Sequence, residues 1–264
     1  MSILEQAPGL LEALRGEMTP KFLATRSPQG VPNVVPCVSI TAAGDRPDLL
    51  FFGNFLLRKT ISNLKTDARV GILVITADLK GWLLKGDFVE FQRTGAYVDQ
   101  QMSSSLLRYN AYTGIRDAGL VQVRSVEDGF AVSKMQVAAD YLLTKLAALT
   151  RSVSVAGEAA LPLAVRREFA KMVAVKVLAW IGDAGYPRVA PMLSLQPAGE
   201  RALIGWRGAR LAPSDGAPVA ANILTFEAVS YQVKGRWTDG GRVGAIGVQE
   251  AYAGGPPLPG GRLV

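Results

Sequence analysis

Arg58 and Lys59, a basic pair followed by Thr60, are the residues best placed in this sequence to do chemistry. The run Phe51-Phe52-Gly53-Asn54-Phe55-Leu56-Leu57-Arg58-Lys59 reads as an apolar strand ending at Gly53-Asn54, a turn, and a helix opened by Arg58, Lys59 and Thr60. A helix start already carries partial positive charge on its unpaired N–H groups, so cations there are locally unfavourable unless an anion joins them. Guanidinium, ammonium, hydroxyl and backbone N–H converging on one point make a phosphate site. The competing reading has Thr60 capping the helix while Arg58 and Lys59 face water.

Other chemistries fail for want of side chains. The chain has no histidine, and Cys37 is its only cysteine. Cys/His zinc sites, His-ligated haem, Ser-His-Asp hydrolysis and Cys-His catalysis are all excluded, as is an internal disulfide. The run Gly81 to Gly86 has the outer glycines of a nucleotide P-loop, but Asp87 stands where lysine is required. Cys37 lies between Pro36 and Val38 in an apolar strand, which predicts a buried, inert thiol. Trp82, Trp180, Trp206 and Trp237 fall in predicted strands and are expected in the core. Arg108, Tyr109, Tyr112 and Arg116 read by default as a surface loop, with cover for a bound ligand as the alternative.

The elements that must position the basic pair come from an internal repeat. FLATRSPQGVPNVVPCVSI at residues 22–40 lies over VLAWIGDAGYPRVAPMLSL at 177–195, and VGILVITADLKGWLLKGDF at 70–88 lies over VAANILTFEAVSYQVKGRW at 219–237. A third echo sets GLVQVRSVEDGF from Gly119 over GRVGAIGVQEAY from Gly241. Each unit reads as a hairpin around a Gly-x-Pro turn, further strands ending in Lys-Gly, and a closing strand, a pattern that suits a small closed or nearly closed barrel. Lys85-Gly86 recurs as Lys234-Gly235, and recurrence in both units favours a strand bend or bulge over a site. The second unit shortens the 51–70 segment and loses its basic centre.

Between the units, Met135, Ala138, Ala139, Leu142, Leu143, Leu146 and Leu149 recur at helical spacing and predict an amphipathic helix. Another helix is expected after Pro162 and a third over residues 3–15, while the Pro/Gly-rich stretch 254–260 is expected to lie extended. The fold class is therefore mainly β, two barrel repeats joined by a helical segment. The expected division is 1–133, 134–176 and 177–264.

With 264 residues, 49% of them hydrophobic, the chain can bury a full core. Its 29 basic and 22 acidic residues give a net charge of +7, scattered without a long basic block. That argues for a solvated basic surface and against nucleic acid. No apolar run approaches the roughly 18 residues of a membrane span and no leader pattern opens the chain, so a soluble cytoplasmic protein with no membrane contact is expected.

Phe51 to Lys59, preceded by Leu23-Ala24-Thr25 and Gly30-Val31-Pro32-Asn33, resembles the FMN-binding split barrels related to pyridoxamine 5′-phosphate oxidase. The resemblance covers residues 22 to about 130; from residue 177 onward only the strand pattern is similar. It implies that Arg58 and Lys59, with Thr60 beside them, hold the FMN phosphate, that Gly53 and Asn54 form the turn passed by the ribityl chain, and that the flavin ring lies along Val35, Pro36, Cys37 and Val38. Members of that family form homodimers with flavin sites at the interface, which implies here a pseudo-dimer within one chain and leaves a further homodimer open. The implied activity is flavin-dependent oxidation or reduction of a small molecule, with NAD(P)H or another carrier as donor. No catalytic side chain is required, because the flavin carries the chemistry. A non-catalytic flavin-binding or sensing protein, and a deazaflavin-dependent reductase on the same fold, are the alternatives. The absence of histidine speaks against the pyridoxal substrate of the family's vitamin-oxidising members.

Overall fold

The computed structural model describes residues 2–55, 57–104, 115–127, 129–150, 155, 157–208, 213–254 and 260–264. The first repeat runs α1 (Leu10–Arg15), β1 (Lys21–Arg26), β2 (Pro32–Pro36), β3 (Thr41–Ala42), β4 (Leu49–Gly53), α2 (Arg58–Leu64), β5 (Arg69–Ile75), β6 (Lys80–Gln92), α3 (Ala96–Ser103), β7 (Ala118–Val126) and β8 (Phe130–Ala131). Two helices follow, α4 (Lys134–Leu149) and α5 (Leu163–Phe169). The second repeat consists of β9 (Val175–Ile181), β10 (Pro187–Pro191), β11 (Gln196–Pro197), β12 (Ala202–Trp206), β13 (Pro218–Leu224), β14 (Ser230–Gly240) and β15 (Val243–Ala253).

Both halves build the same antiparallel sheet, in the order β2-β1-β5-β6-β7-β4-β3 and β10-β9-β13-β14-β15-β12-β11. The correspondence holds in register: Phe22 faces Pro36 as Val177 faces Pro191, and Gly71 faces Lys85 as Ala220 faces Lys234. Register breaks at Lys85/Gly86 and again at Lys234/Gly235, so the recurring Lys-Gly is a β-bulge. The third echo is corrected by three residues. Phe52 faces Gly119 and Gly205 faces Gly244, which makes Gly244, not Gly241, the counterpart of Gly119. Close packing explains that pair: a Cβ on Gly119 would meet the Phe52 ring, and one on Gly244 the Trp237 ring. The Gly-x-Pro turns use glycine for its backbone freedom, with φ of 76° at Gly30 and 75° at Gly185.

Each sheet curls around its own core, and a third core joins them. On β1, Leu23 points into the first barrel with Leu50, Ile72 and Leu84, while Phe22 and Ala24 point the other way against Val177, Ala179 and Ala220 of the second repeat. Strands buried on both faces read as continuous apolar runs. The seam is tight at Gly71, where a Cβ would come 2.1 Å from the Pro187 carbonyl oxygen. Gly71→Ala is expected to force the two sheets apart and cost about 1–3 kcal/mol, read as a lowered urea midpoint with an unchanged slope.

The helices differ in detail from expectation. α1 begins at Leu10 rather than near residue 3, because Gly9 adopts φ 78°, outside the helical region. α4 starts where Ser133 accepts a capping bond from the Gln136 N–H. Its apolar stripe, however, faces outward: Met135, Leu142, Leu146 and Leu149 are 82%, 60%, 59% and 75% exposed, and only Thr144 of this helix is buried. Trp82, Trp180 and Trp237 are buried in strands as expected, and Trp206 is half-buried. Arg108, Tyr109 and Tyr112, and residues 255–259 of the C-terminal stretch, lie outside the described residues. Among the described residues no helix is long and apolar enough to cross a membrane.

Candidate functional site

The seam holds a cavity of about 770 Å³, inside the range of about 300–1,000 Å³ usual for small-molecule sites. One wall comes from the first repeat: Val35, Pro36, Cys37 and Val38 at the end of β2, Gly53 at the end of β4, and Arg58, Lys59 and Thr60 opening α2. The opposite wall comes from the second repeat and includes Asn222, Gln232 and Tyr252. Eight of the nine residues marked in the sequence thus line one space. The ninth, Asn54, is buried beside it and does not line it. Its Nδ2 donates to Asp117 Oδ1 at 3.0 Å, its N–H donates to the Asp117 carbonyl at 2.9 Å, and its Oδ1 is buried without a donor among the described residues.

The first wall is held by local bonds. Lys21 is buried beneath it and donates from Nζ to the Gly16 carbonyl at 2.8 Å and the Val38 carbonyl at 3.0 Å. Burial lowers its ammonium to about 8. Ser39 Oγ accepts from the Gly53 N–H at 3.2 Å, and Gln101 Nε2 donates to the Ser39 carbonyl at 2.9 Å, tying the end of β4 to the loop after β2. Burial pushes the Cys37 thiol up to about 12 although Ser39 and Lys21 oppose the shift, so the thiol stays protonated and inert as expected.

Thr60 does not cap α2; the helix has no side-chain cap. Its buried Oγ1 accepts instead from Asn33 Nδ2 at 3.2 Å, which orients the helix on β2. Arg58 is exposed at the rim. Lys59 is half-buried, with Nζ 3.2 Å from the centre of the Tyr252 ring across the seam. Desolvation lowers its pKa, with Glu250 opposing and Arg262 adding to the shift. Nearby, Lys234 is buried and lowered to about 8, first by desolvation and then by Lys59. Tyr252 donates to Glu250 Oε2 at 2.6 Å, and Arg262 lies 3.6 Å from the other oxygen of that carboxylate. The net sign at this end of the cavity is positive.

Sequence reading missed the second-repeat wall. Asn222 and Gln232 both donate to the Val34 carbonyl. By register, their counterparts in the first repeat are Leu73 and Leu83, which pack in the seam. Amides at positions where the sister repeat has leucine were the available signal. The repeats diverge again at Gly53, whose counterpart is Trp206: both donate backbone N–H bonds to a serine hydroxyl, Ser39 and Ser194. Where Gly53 lines the cavity, Trp206 packs, as do Ala147 and Ala148 of α4, against the cluster of Ile204, Val243 and Ala245.

No protein-family model matches this chain, and neither does any curated protein. Solved structures similar to it include an FMN-binding protein from Syntrophomonas wolfei, 16% identical with a TM-score of 0.40, spanning 50% of this chain and 88% of that one. An F420 reductase is 22% identical with a TM-score of 0.35, over 44% of this chain and 94% of the other. The heme storage protein HutZ from Vibrio cholerae is 15% identical with a TM-score of 0.36, over 50% and 95%. On its own strand order and register, this chain carries two split-barrel repeats in tandem.

Proposed function

We propose that this chain binds FMN noncovalently at the seam and is a flavin-dependent oxidoreductase acting on a small molecule. The observation that carries the reading is the convergence on one cavity of residues 35–38, Gly53 and 58–60, closed by Asn222, Gln232 and Tyr252 of the second repeat, more than 150 residues further along the chain. The residues fit the group. A half-buried ammonium at Lys59 and a guanidinium at Arg58 suit a phosphate, and Thr60, locked by Asn33, keeps their helix in place. The apolar wall at Val35, Pro36 and Val38 suits a flat ring, and Gly53 lines the same cavity, the place of its missing Cβ being taken by Phe55, Gln101 and Ile115. Pro36 offers no N–H, so ring contacts there are apolar. Bound FMN supplies hydride and electron transfer. The protein's own groups bind, orient and exclude water, and Lys59 holds its proton more firmly beside a dianion.

In this reading the FMN-binding repeat is 1–133, the connector 134–176 and the second repeat 177–264, which stands where a partner subunit would. Asn54 then acts by holding the turn to Asp117 rather than by touching the ligand. The test is the absorption spectrum of purified protein and mass analysis of what heat denaturation releases. Flavin bands with released FMN are expected, followed by NAD(P)H consumption when an electron acceptor is added. A released deazaflavin would change the cofactor and keep the site; a protein that releases no flavin and takes up no added FMN would overturn the proposal. Bound FMN without nucleotide consumption or any turnover would leave a binding or sensing protein.

A further inference from the structure

The cavity is larger than the one wall that carries the marked residues, and its extension has a different chemistry. It reaches the pseudo-two-fold relation between the repeats. Pro20 and Val175 are counterparts by the register of β1 and β9, and both line it. Thr76 and Thr225, like Leu79 and Ala228, are counterparts in the hairpin turns that follow β5 and β13, and all four line it. The segment 35–39 contributes from the first repeat alone. A single space therefore joins a one-sided site to a vestibule built from both repeats. The vestibule adjoins the end of β2 through β1: the Cys37 N–H donates to the Lys21 carbonyl at 2.7 Å, and the Ile75 N–H to the Pro20 carbonyl at 3.1 Å.

The lining decides what can enter. Arg58 and Lys59 are the only charged residues among the described residues that line the cavity, and both belong to the phosphate end. The vestibule offers prolyl, leucyl and valyl carbon with the side chains of Thr19, Thr76 and Thr225, and Phe226 stands at its edge, 79% exposed. Leu79 and Ala228 hold φ of 62° and 59°, conformations that cost non-glycine residues energy and that fix both turns in the same unusual shape. An ionised group entering this space would lose water and, with Arg58 and Lys59 taken up by the cofactor phosphate, find no counter-charge in the lining, whereas an apolar surface would lose only unfavourable hydration.

We infer that the vestibule is a second subsite, beside the flavin, for an uncharged and largely apolar aromatic or carbonyl compound, and that it discriminates against anionic substrates. The inference rests on the flavin reading, both for its neighbour and for the phosphate that takes up Arg58 and Lys59. It also separates the two partners of the site by charge: the anionic cofactor is held at the basic end, the neutral compound at the seam.

The test uses the full chain loaded with FMN and two matched probes, 2-acetylnaphthalene and 2-naphthoate, followed by equilibrium dialysis. The neutral probe is expected to bind at least about tenfold more tightly than the carboxylate. A variant carrying Ala77→Asp and Phe226→Asp, both on exposed turns outside the segments 35–38 and 53–60, is expected to keep its FMN and lose about tenfold in affinity for the neutral probe. Equal binding of the two probes, preference for the carboxylate, or an unchanged neutral affinity in the variant would overturn the subsite with the flavin reading intact. Failure of the parent protein to retain FMN, seen in its spectrum before any probe is added, would instead overturn the flavin reading and with it the subsite as a flavin neighbour.

Discussion

Replacing Arg58 and Lys59 together with Ala is expected to weaken FMN binding by about 3 kcal/mol, roughly a hundredfold, since a charge-assisted bond contributes about 1.5–3 kcal/mol and Arg58 is exposed enough to give the lower end. The two positions differ in kind. Arg58 sits in water, so its contribution should fall as salt rises, whereas that of Lys59, half-buried against Tyr252, should persist. Lys65→Ala, at the exposed far end of α2, is the control and should change little. The pH dependence is a separate signature. Desolvation lowers the Lys59 pKa below the usual 10.5 in the free protein, so affinity for the phosphate dianion should fall on the alkaline side earlier than an ordinary lysine would dictate. That fall should vanish in Lys59→Ala. Fluorescence titration of FMN across pH measures both effects, and an unchanged affinity in the double variant would remove the phosphate site.

The second large effect concerns a pair of lysines that the repeat places at the same position. Lys21 and Lys176 are counterparts and both are fully buried, but their surroundings differ. Lys21 has two carbonyl acceptors. Lys176 Nζ has no hydrogen-bond partner among the described residues and meets only the Tyr141 ring at 5.4 Å, and burial drives its ammonium from 10.5 down to about 7. Between about pH 7 and 10.5 the unfolded chain holds a proton on Lys176 that the folded chain does not, so folding stability rises with pH across that window. Lys176→Met is therefore expected to stabilise the protein at and below pH 7 by several kcal/mol, at 1.36 kcal/mol for each pKa unit, and to flatten that slope. Lys21 is lowered less, to about 8, and Lys21→Met strips a donor from both the Gly16 and Val38 carbonyls at about 1–3 kcal/mol each, so that substitution is expected to stabilise far less than Lys176→Met or to destabilise. Urea melts at several pH values would show the contrast; destabilisation by both substitutions would mean that Lys176 has an acceptor.

How much was legible follows from what each feature depends on. The repeat, the Gly-x-Pro turns, the Lys-Gly bulge and the helix opened by Arg58 and Lys59 rest on local backbone requirements. Glycine is needed where φ is positive, and apolar alternation is needed where a strand has a core face. Those requirements are written residue by residue, so the sequence by itself determined the tandem barrels and the first wall of the cavity. Elements whose partner lies far along the chain were less legible. Asn54 looked like a ligand contact by its turn, but only Asp117, brought beside it by β7, decides that its side chain faces inward. The apolar stripe of α4 has the periodicity of a packed face and yet lies exposed, because periodicity specifies a face without supplying something to cover it. The second wall, with Asn222 and Gln232 on the Val34 carbonyl and Tyr252 over Lys59, exists only because two sheets pack back to back. Packing between sheets is set by shape and burial summed over the whole seam, and tertiary structure alone decided where along it the cavity opens.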